Sequence, residues 1–465
     1  MNQPGYYWYD LETSGKDSRK DRILQFAGLR TDTGLQPMGE PHVWFCRLAP
    51  DVLPDPEASL VTGLTPQLLE AQGRVEAEVL QDIHQQLMLP GTCALGWNTL
   101  RFDDEFLRHS FFRNLMDPYE REWRGGNSRW DMIDVVRMAY ALRPDALDWP
   151  VGDDGAVSFR LEKLAAVNEV SHEHAHDALS DVMATIGLAR KLQVSQPRLW
   201  HYAEQHRSRQ SIQHLLRIGL PDPVLHVSTR FGIAQRNLGI ILPLQLSTKR
   251  QHQMLAVNLA VHPLESVRTA YSDSGRHSPL YWIAMNRCPM VVPWQALRHE
   301  DIERLAIPVE QIRQHMDLWR NDPELQRMVH EFVAHSFDAE HAVPADPDFS
   351  LYSGGFLSDA DKRKLAGLRQ QLCEHDFRVA PSFDDSRLAE MVFRYRARNY
   401  PDSLSHEEAC RWQGWCEQKK HNDDAGLTYA AFYAKIQAIK ADPALDARGA
   451  EIINALEAWV RQSVY

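Results

Sequence analysis

Apolar and polar positions alternate from the first ordered stretch of the chain. In YYWYDLE, residues 6–12, Tyr7, Tyr9 and Leu11 fall on one face of a strand and Trp8, Asp10 and Glu12 on the other. DRILQFAGLRTD and HVWFCRLAP continue as strands, separated by the turn-rich TGLQPMGEP. The period then becomes helical at PQLLEAQG and VEAEVLQDIHQQLML, returns to a short buried strand at TCALGWN, and becomes helical again at RFDDEFLRHSFFRN and SRWDMIDVVRMAYAL. DALSDVMATIGLARKL reads as a helix with Asp177 as its N-cap. This is an α/β pattern. Between 224 and 295 the chain offers short strand-like runs, VLHVS, LGIILPLQL, QMLAVNLAV and LYWIAMN, which predict a small antiparallel barrel or sandwich. Helix resumes at DPELQRMVHEFVAHSF, VPADPDFSLYSGG reads as a linker, and the last block, ending on the amphipathic DARGAEIINALEAWVRQSVY, is almost wholly helical. The boundaries predicted are 1–193, 197–348 and 352–465.

The 465 residues are enough for about two to three domains. Hydrophobic content of 44% and charged content of 25% are ordinary for a globular chain, and no apolar run reaches membrane-spanning length. MNQPGYYWYD lacks the pattern of a signal peptide. The six cysteines are scattered without a CxxC pair, which predicts free thiols and a cytoplasmic home. The net charge of −12 is unevenly spread. Residues 1–189 hold 17 Lys/Arg against 30 Asp/Glu, whereas residues 190–250 hold 10 against 2. An acidic block able to hold metals is therefore followed by a basic block able to hold phosphates, with Arg207, Arg209, Arg217, Arg230 and Arg236 as candidates for a basic wall.

Three acid-bearing sites fall in the α/β block. Asp10 and Glu12 share one face at a strand end. In GWNTLRFDDEF, Gly96 to Asn98 ends a strand and Asp103 opens a helix. In HAHDALSD, His176 precedes a helix and Asp181 sits in its first two turns. Open α/β sheets present their sites at such strand–helix junctions. Four carboxylates and an imidazole converging there suit two-metal phosphoryl chemistry, in which cations about 4 Å apart clamp the attacking and leaving oxygens. A histidine suits the base, since its unperturbed pKa lies near neutrality.

The order DxE, N-x-x-x-F-D and H-D-A-x-x-D resembles the three motifs of the DEDDh family of 3′→5′ exonucleases, and VTGLTPQ resembles the segment of that family that packs on the terminal nucleotide. The longer stretches NSRWDMIDVVRMAYALRP, SFRLEKL, QPRL, VLHVSTRFG, NRCP, GFLSDAD and YRARNYP resemble the bacterial exodeoxyribonuclease I family along essentially the whole chain. The resemblance implies an α/β ribonuclease-H-like exonuclease domain, a small SH3-like β-barrel domain and an all-α C-terminal domain. It implies Mg²⁺-dependent, processive 3′→5′ removal of 5′-mononucleotides from single-stranded DNA in repair and recombination, with two ions per site and Mn²⁺ as a substitute. It also implies a monomer that contacts the acidic tail of single-strand binding protein and no membrane. By motif, Asp10, Glu12 and Asp181 are the expected metal ligands, Asp103 completes the catalytic set and His176 is the base. Glu12, Thr13, Leu64 and Thr65 are expected at the 3′ end, Arg160 on a substrate phosphate, and Arg108, Tyr119, Trp123 and Arg137 along the DNA path.

Other readings fare less well. HEHAHD, with His172, His174 and His176 alternating, invites a zinc hydrolase, but the order His176 then Asp177 breaks that pattern, leaving His172 and His174 as loop histidines. SGKD fails as a phosphate loop because position 10 is Asp where glycine is required. A non-catalytic single-strand binder would use the barrel and basic stretch, with the acids as vestiges; in the nuclease reading the acidic block supplies catalysis and Trp97, Tyr119, Trp123 and Trp130 are candidate stacking platforms. An RNA-trimming nuclease would share the catalytic motifs.

Overall fold

The computed structural model describes residues 5–172, 177–250, 252–272, 278–335, 346–377 and 381–463. Its first sheet has the order β3-β2-β1-β4-β5. β1 (Gly5–Thr13) lies at the centre, antiparallel to β2 (Ile23–Thr31) and parallel to β4 (Thr92–Leu95); β3 (His42–Phe45) and β5 (Ser128–Arg129) form the edges. β1 is central because both of its faces are apolar. Tyr7, Tyr9 and Leu11 enter one core with Val79, Leu80, Phe106 and Phe111, while Tyr6 and Trp8 enter the other with Val135, Val182 and Ile186. Helices thus cover the sheet on both sides, as a sheet with near-continuous hydrophobic strands requires.

Two local features aim the strand ends. The register of β1 against β2 slips between Glu12 and Thr13, a bulge of the kind that re-aims a side chain beside a site. Gly96, after β4, passes so close to β1 that an added Cβ would lie 2.3 Å from the Tyr9 carbonyl oxygen, so only glycine fits there. The following turn is held by Asp131, which accepts from the Asn98 and Leu100 amides and caps the helix Met132–Leu142. That helix starts later than its sequence pattern predicts, because Ser128 and Arg129 are taken into the sheet edge. Asp177 caps the helix Ala178–Ser195 through the Ser180 amide, as expected.

The second sheet is antiparallel throughout, with β6 (Val224–Val227), β7 (Leu238–Leu246), β8 (Gln253–Asn258), β9 (Leu280–Ala284) and β10 (Met290–Pro293) in the order β10-β6-β7-β8-β9. β10 was not among the predicted strand runs. The last region is helical: Asp359–Cys373, Leu388–Asn399, His406–Lys419, Tyr429–Lys440 and Ala447–Ser463. It packs back on the first domain, where Ile452, Ile453 and Leu456 share a core with Leu53. Among the described residues no helix is long and apolar enough to cross a membrane.

Candidate active site

The bulged end of β1, the first turns of the helix Asp103–Arg113 and the helix Ala178–Ser195 bring the predicted acids together. One carboxylate oxygen from each of Asp10, Glu12 and Asp181 lies within 4.8 Å of the others. Asp103 opens its helix without a side-chain cap, is 2% exposed, and leaves its Oδ1 with no hydrogen-bond partner among the described residues. Burial pushes the Asp10 carboxyl well above its usual range, and the charges of Asp103, Asp181 and Asp177 add to the effect. Glu12 is pushed up to about 9 by burial and then by Asp10, Asp181 and Asp177. Burial raises Asp103 as well, with Asp104, Asp131 and Glu12 contributing. The side-chain charges acting most on these three groups are all carboxylates, so the pocket is short of positive charge.

Such a donor set suits a hard divalent cation. Mg²⁺ and Mn²⁺ take carboxylate oxygens; Asp103 is not part of the group of three, but its charge acts on Asp10 and its Oδ1 is a buried acceptor without a partner among the described residues. No thiolate takes part, since the buried cysteines Cys46, Cys93, Cys288 and Cys416 lie elsewhere.

His176 lies outside the described residues. His172 lies in a loop, as its sequence suggests, and places Nε2 2.5 Å from Asp181 Oδ1. Its proximity was not legible, because nothing in HEHAHD fixes which histidine turns inward.

The predicted substrate residues divide into four groups. Thr13 is buried beside Glu12 and donates to the Gly15 carbonyl at 2.7 Å, Leu64 packs against Leu24 and Leu69, and Thr65 caps the helix Pro66–Gln72 through the Leu68 amide. Arg160 is open, with 74% of its side chain exposed and its nearest carboxylate, Glu162, 3.9 Å away. Trp123 is 67% exposed and, with the half-buried Tyr119, lines a cavity of about 420 Å³ shared with Phe356.

Arg108 and Arg137, expected along the DNA path, are buried and carry carboxylate partners. Arg108 is buried, forks onto Glu122 at 2.8 and 3.1 Å, and reaches Glu105 at 2.9 Å. Arg137 is buried, binds Asp134 at 2.9 Å and stands over the Phe159 ring. A buried guanidinium needs such carboxylates, and the sequence does not show which arginines will find them. Trp130 likewise is core, against Tyr6 and Trp200, and not a platform. In the basic block, Arg236 stands over Tyr140 and Arg207 reaches Ser128 Oγ, so these two meet the first domain; Arg230 stands over Tyr281 within the SH3-like domain, and Arg209 and Arg217 are exposed.

Three family descriptions match successive parts of the chain: Exonuclease over residues 7–189, Exonuclease I SH3-like domain over 207–335 and Exonuclease I C-terminal domain over 345–463. Exodeoxyribonuclease I of Escherichia coli (strain K12) is 38% identical over 428 residues, covering 88% of each chain. The chain belongs to the exodeoxyribonuclease I family. Its fold is shared with solved members: E. coli exonuclease I in complex with a dA16 oligonucleotide superposes with a TM-score of 0.88 at 33% identity, over 99% of this chain and 100% of that one. An SSB/exonuclease I structure in complex with an inhibitor gives 0.87 at 33% identity with the same coverage. Membership makes the chain a nuclease of the exodeoxyribonuclease I type, with an exonuclease domain, an SH3-like domain and a helical C-terminal domain.

Proposed function

We propose that this family member removes 5′-mononucleotides processively from the 3′ end of single-stranded DNA, with Mg²⁺ as its physiological metal, and that it acts in DNA repair and recombination in the cytoplasm. The observation that carries the reading is the meeting of Asp10, Glu12 and Asp181 within 4.8 Å, with no described lysine or arginine among the leading charges acting on Asp10 and Glu12. Asp10, Glu12 and Asp181 would hold the metal and Asp103 would complete the site. Bound divalent cations supply Lewis-acid stabilisation of the attacking and leaving oxygens. The remaining work belongs to the chain. His176 would take the proton of the attacking water, Thr13, Leu64 and Thr65 would seat the terminal nucleotide beside Glu12, and Arg160 would meet a phosphate. Tyr119 and Trp123 would stack on the strand beyond.

The partner reading draws on the relatives, one solved with a dA16 oligonucleotide and one as an SSB/exonuclease I structure. Single-stranded DNA and the acidic tail of single-strand binding protein are the partners proposed, for a monomeric enzyme with the boundaries 1–193, 197–348 and 352–465. The test is a 3′-labelled strand incubated with Mg²⁺, Mn²⁺ or EDTA, in matched DNA and RNA forms. Mononucleotide release from DNA that EDTA abolishes is expected. Faster release from RNA, or none from either, would overturn the reading.

A further inference from the structure

Glu105, the third residue of the helix that Asp103 opens, gathers contacts from all three domains. Its Oε1 accepts from Arg108 Nη1 at 2.9 Å and stands 3.7 Å from Nη2 of Arg287, in the turn between β9 and β10 of the SH3-like domain. Its Oε2 accepts from the Tyr352 hydroxyl, at the start of the C-terminal domain, at 2.5 Å. Arg108 also reaches the Tyr352 hydroxyl at 3.3 Å, and the Tyr352 ring meets His109 edge-on at 5.7 Å. The turn carrying Arg287 is fixed on both sides: Asn286 accepts from Arg129 Nη2 at 3.4 Å, and Cys288 Sγ lies 3.2 Å from the Arg129 carbonyl oxygen.

The exposures differ in a telling way. The Arg287 side chain is 61% exposed and Tyr352 is 53% exposed, while the Glu105 side chain is only 20% exposed. Two solvent-facing arms from separate domains therefore end on one recessed carboxylate. Two residues away stands Asp103. We propose that Glu105 is a positioning residue, a latch on which the SH3-like and C-terminal arms close so that a long single strand stays seated across all three domains. The proposal rests on the single-strand reading above but needs no cleavage.

Residence on DNA tests it. The full chain is loaded in EDTA with labelled single strands of about 40 and about 8 nucleotides, the shorter being within the reach of one domain, and chased with unlabelled DNA. Glu105→Gln removes the charge that draws both arms together and is expected to shorten residence on the long strand about tenfold, the factor carried by a hydrogen bond to a charged group. Tyr352→Phe, which deletes one hydroxyl and keeps the ring, is expected to act in the same direction. The double variant is expected to lose no more than Glu105→Gln alone, because both changes break one contact. Residence on the short strand is expected to move less than about twofold. Equal shortening on both strands, additive effects, unchanged long-strand residence or no retention of single strands by the wild type would each overturn the latch. Tyr352→Phe carries the test if Glu105→Gln fails to fold. A wild type that retains DNA but releases no mononucleotide with Mg²⁺ would defeat the nuclease mechanism and leave the latch standing.

Discussion

Asp103 and Asp104 are neighbours in sequence, 2% and 1% exposed, yet they titrate in opposite directions. Asp104 accepts from Tyr9 at 2.6 Å and from Arg121 and Arg129 at 2.5 Å each, and those arginines hold its carboxyl below the usual range against the effect of burial. Asp103 has no such partners and is pushed up. The same contrast separates two whole regions. Between the first and last domains, buried Asp51 takes Arg22 at 3.0 Å, Arg398 at 3.1 Å and Lys419 at 2.7 Å, and the three cations outweigh burial to hold it well below its range. Buried acid by itself signals nothing. Acid matched by its own chain makes a joint, whereas acid left unmatched stores a demand for a cation from outside.

The contrast breaks first at the pocket. Asp10→Ala is expected to lower turnover by about 10³-fold or more, as removal of a central electrostatic element does, while single-strand binding in EDTA persists. Retained turnover in saturating Mg²⁺ would take Asp10 out of the site. His176→Ala is expected to slow hydrolysis by roughly 10²–10⁴, the usual share of a general base; a rate equal to wild type across pH would pass that role to another group, His172 on Asp181 being the first to examine.

Stability sharpens the comparison, since the two regions should respond with opposite sign. Asp51→Asn leaves three cations without their shared anion and is expected to cost about 3–5 kcal/mol, as breaking a buried ion pair does. Asp10→Asn relieves repulsion and is expected to raise the melting temperature of metal-free protein. Thermal denaturation in EDTA reads both, and movement in the same direction would dissolve the distinction. Glu12 adds a pH dependence. Its folded pKa of about 9 exceeds the ordinary 4.5, so the folded state binds more protons in between, and stability drains away as pH rises through that window. Relative to Glu12→Gln, metal-free wild type is therefore expected to melt progressively lower from about pH 5 to 9, and Mg²⁺ to close the gap.

How far this was legible follows from the same physics. The alternation in YYWYDLE placed Asp10 and Glu12 on one face, and the strand–turn–helix texture at GWNTLRFDD placed Asp103, because period and caps are local properties. The separation of strand-rich and helix-rich blocks was readable for the same reason. Pairing between distant side chains was not. No local pattern distinguishes Asp103 from Asp104, or Arg160, which stays open, from Arg108, which closes on Glu122. Trp130 could be read from the sequence either as core or as a platform, because aromatic residues serve cores and surfaces alike, and only the packing of Trp200 against it decides. The two-residue strand β5 fell below the length at which a period can be seen.

The smallest expected effect tests whether the open cation behaves as an open cation should. Arg160 has its guanidinium largely in solvent, and a carboxylate at 3.9 Å is too distant and too hydrated to hold it. If it meets a phosphate, Arg160→Ala removes one screened contact: single-strand affinity should fall by a few-fold, and the slope of log affinity against log salt should become shallower by about 0.7, the value for one phosphate on a single strand. Arg108→Ala differs in kind, because it takes a buried guanidinium from Glu105 and Glu122 and should lower the melting temperature before it changes the salt slope. A salt slope that moves for Arg108→Ala in a stably folded protein, and stays fixed for Arg160→Ala, would reverse the assignment of which arginine faces the strand.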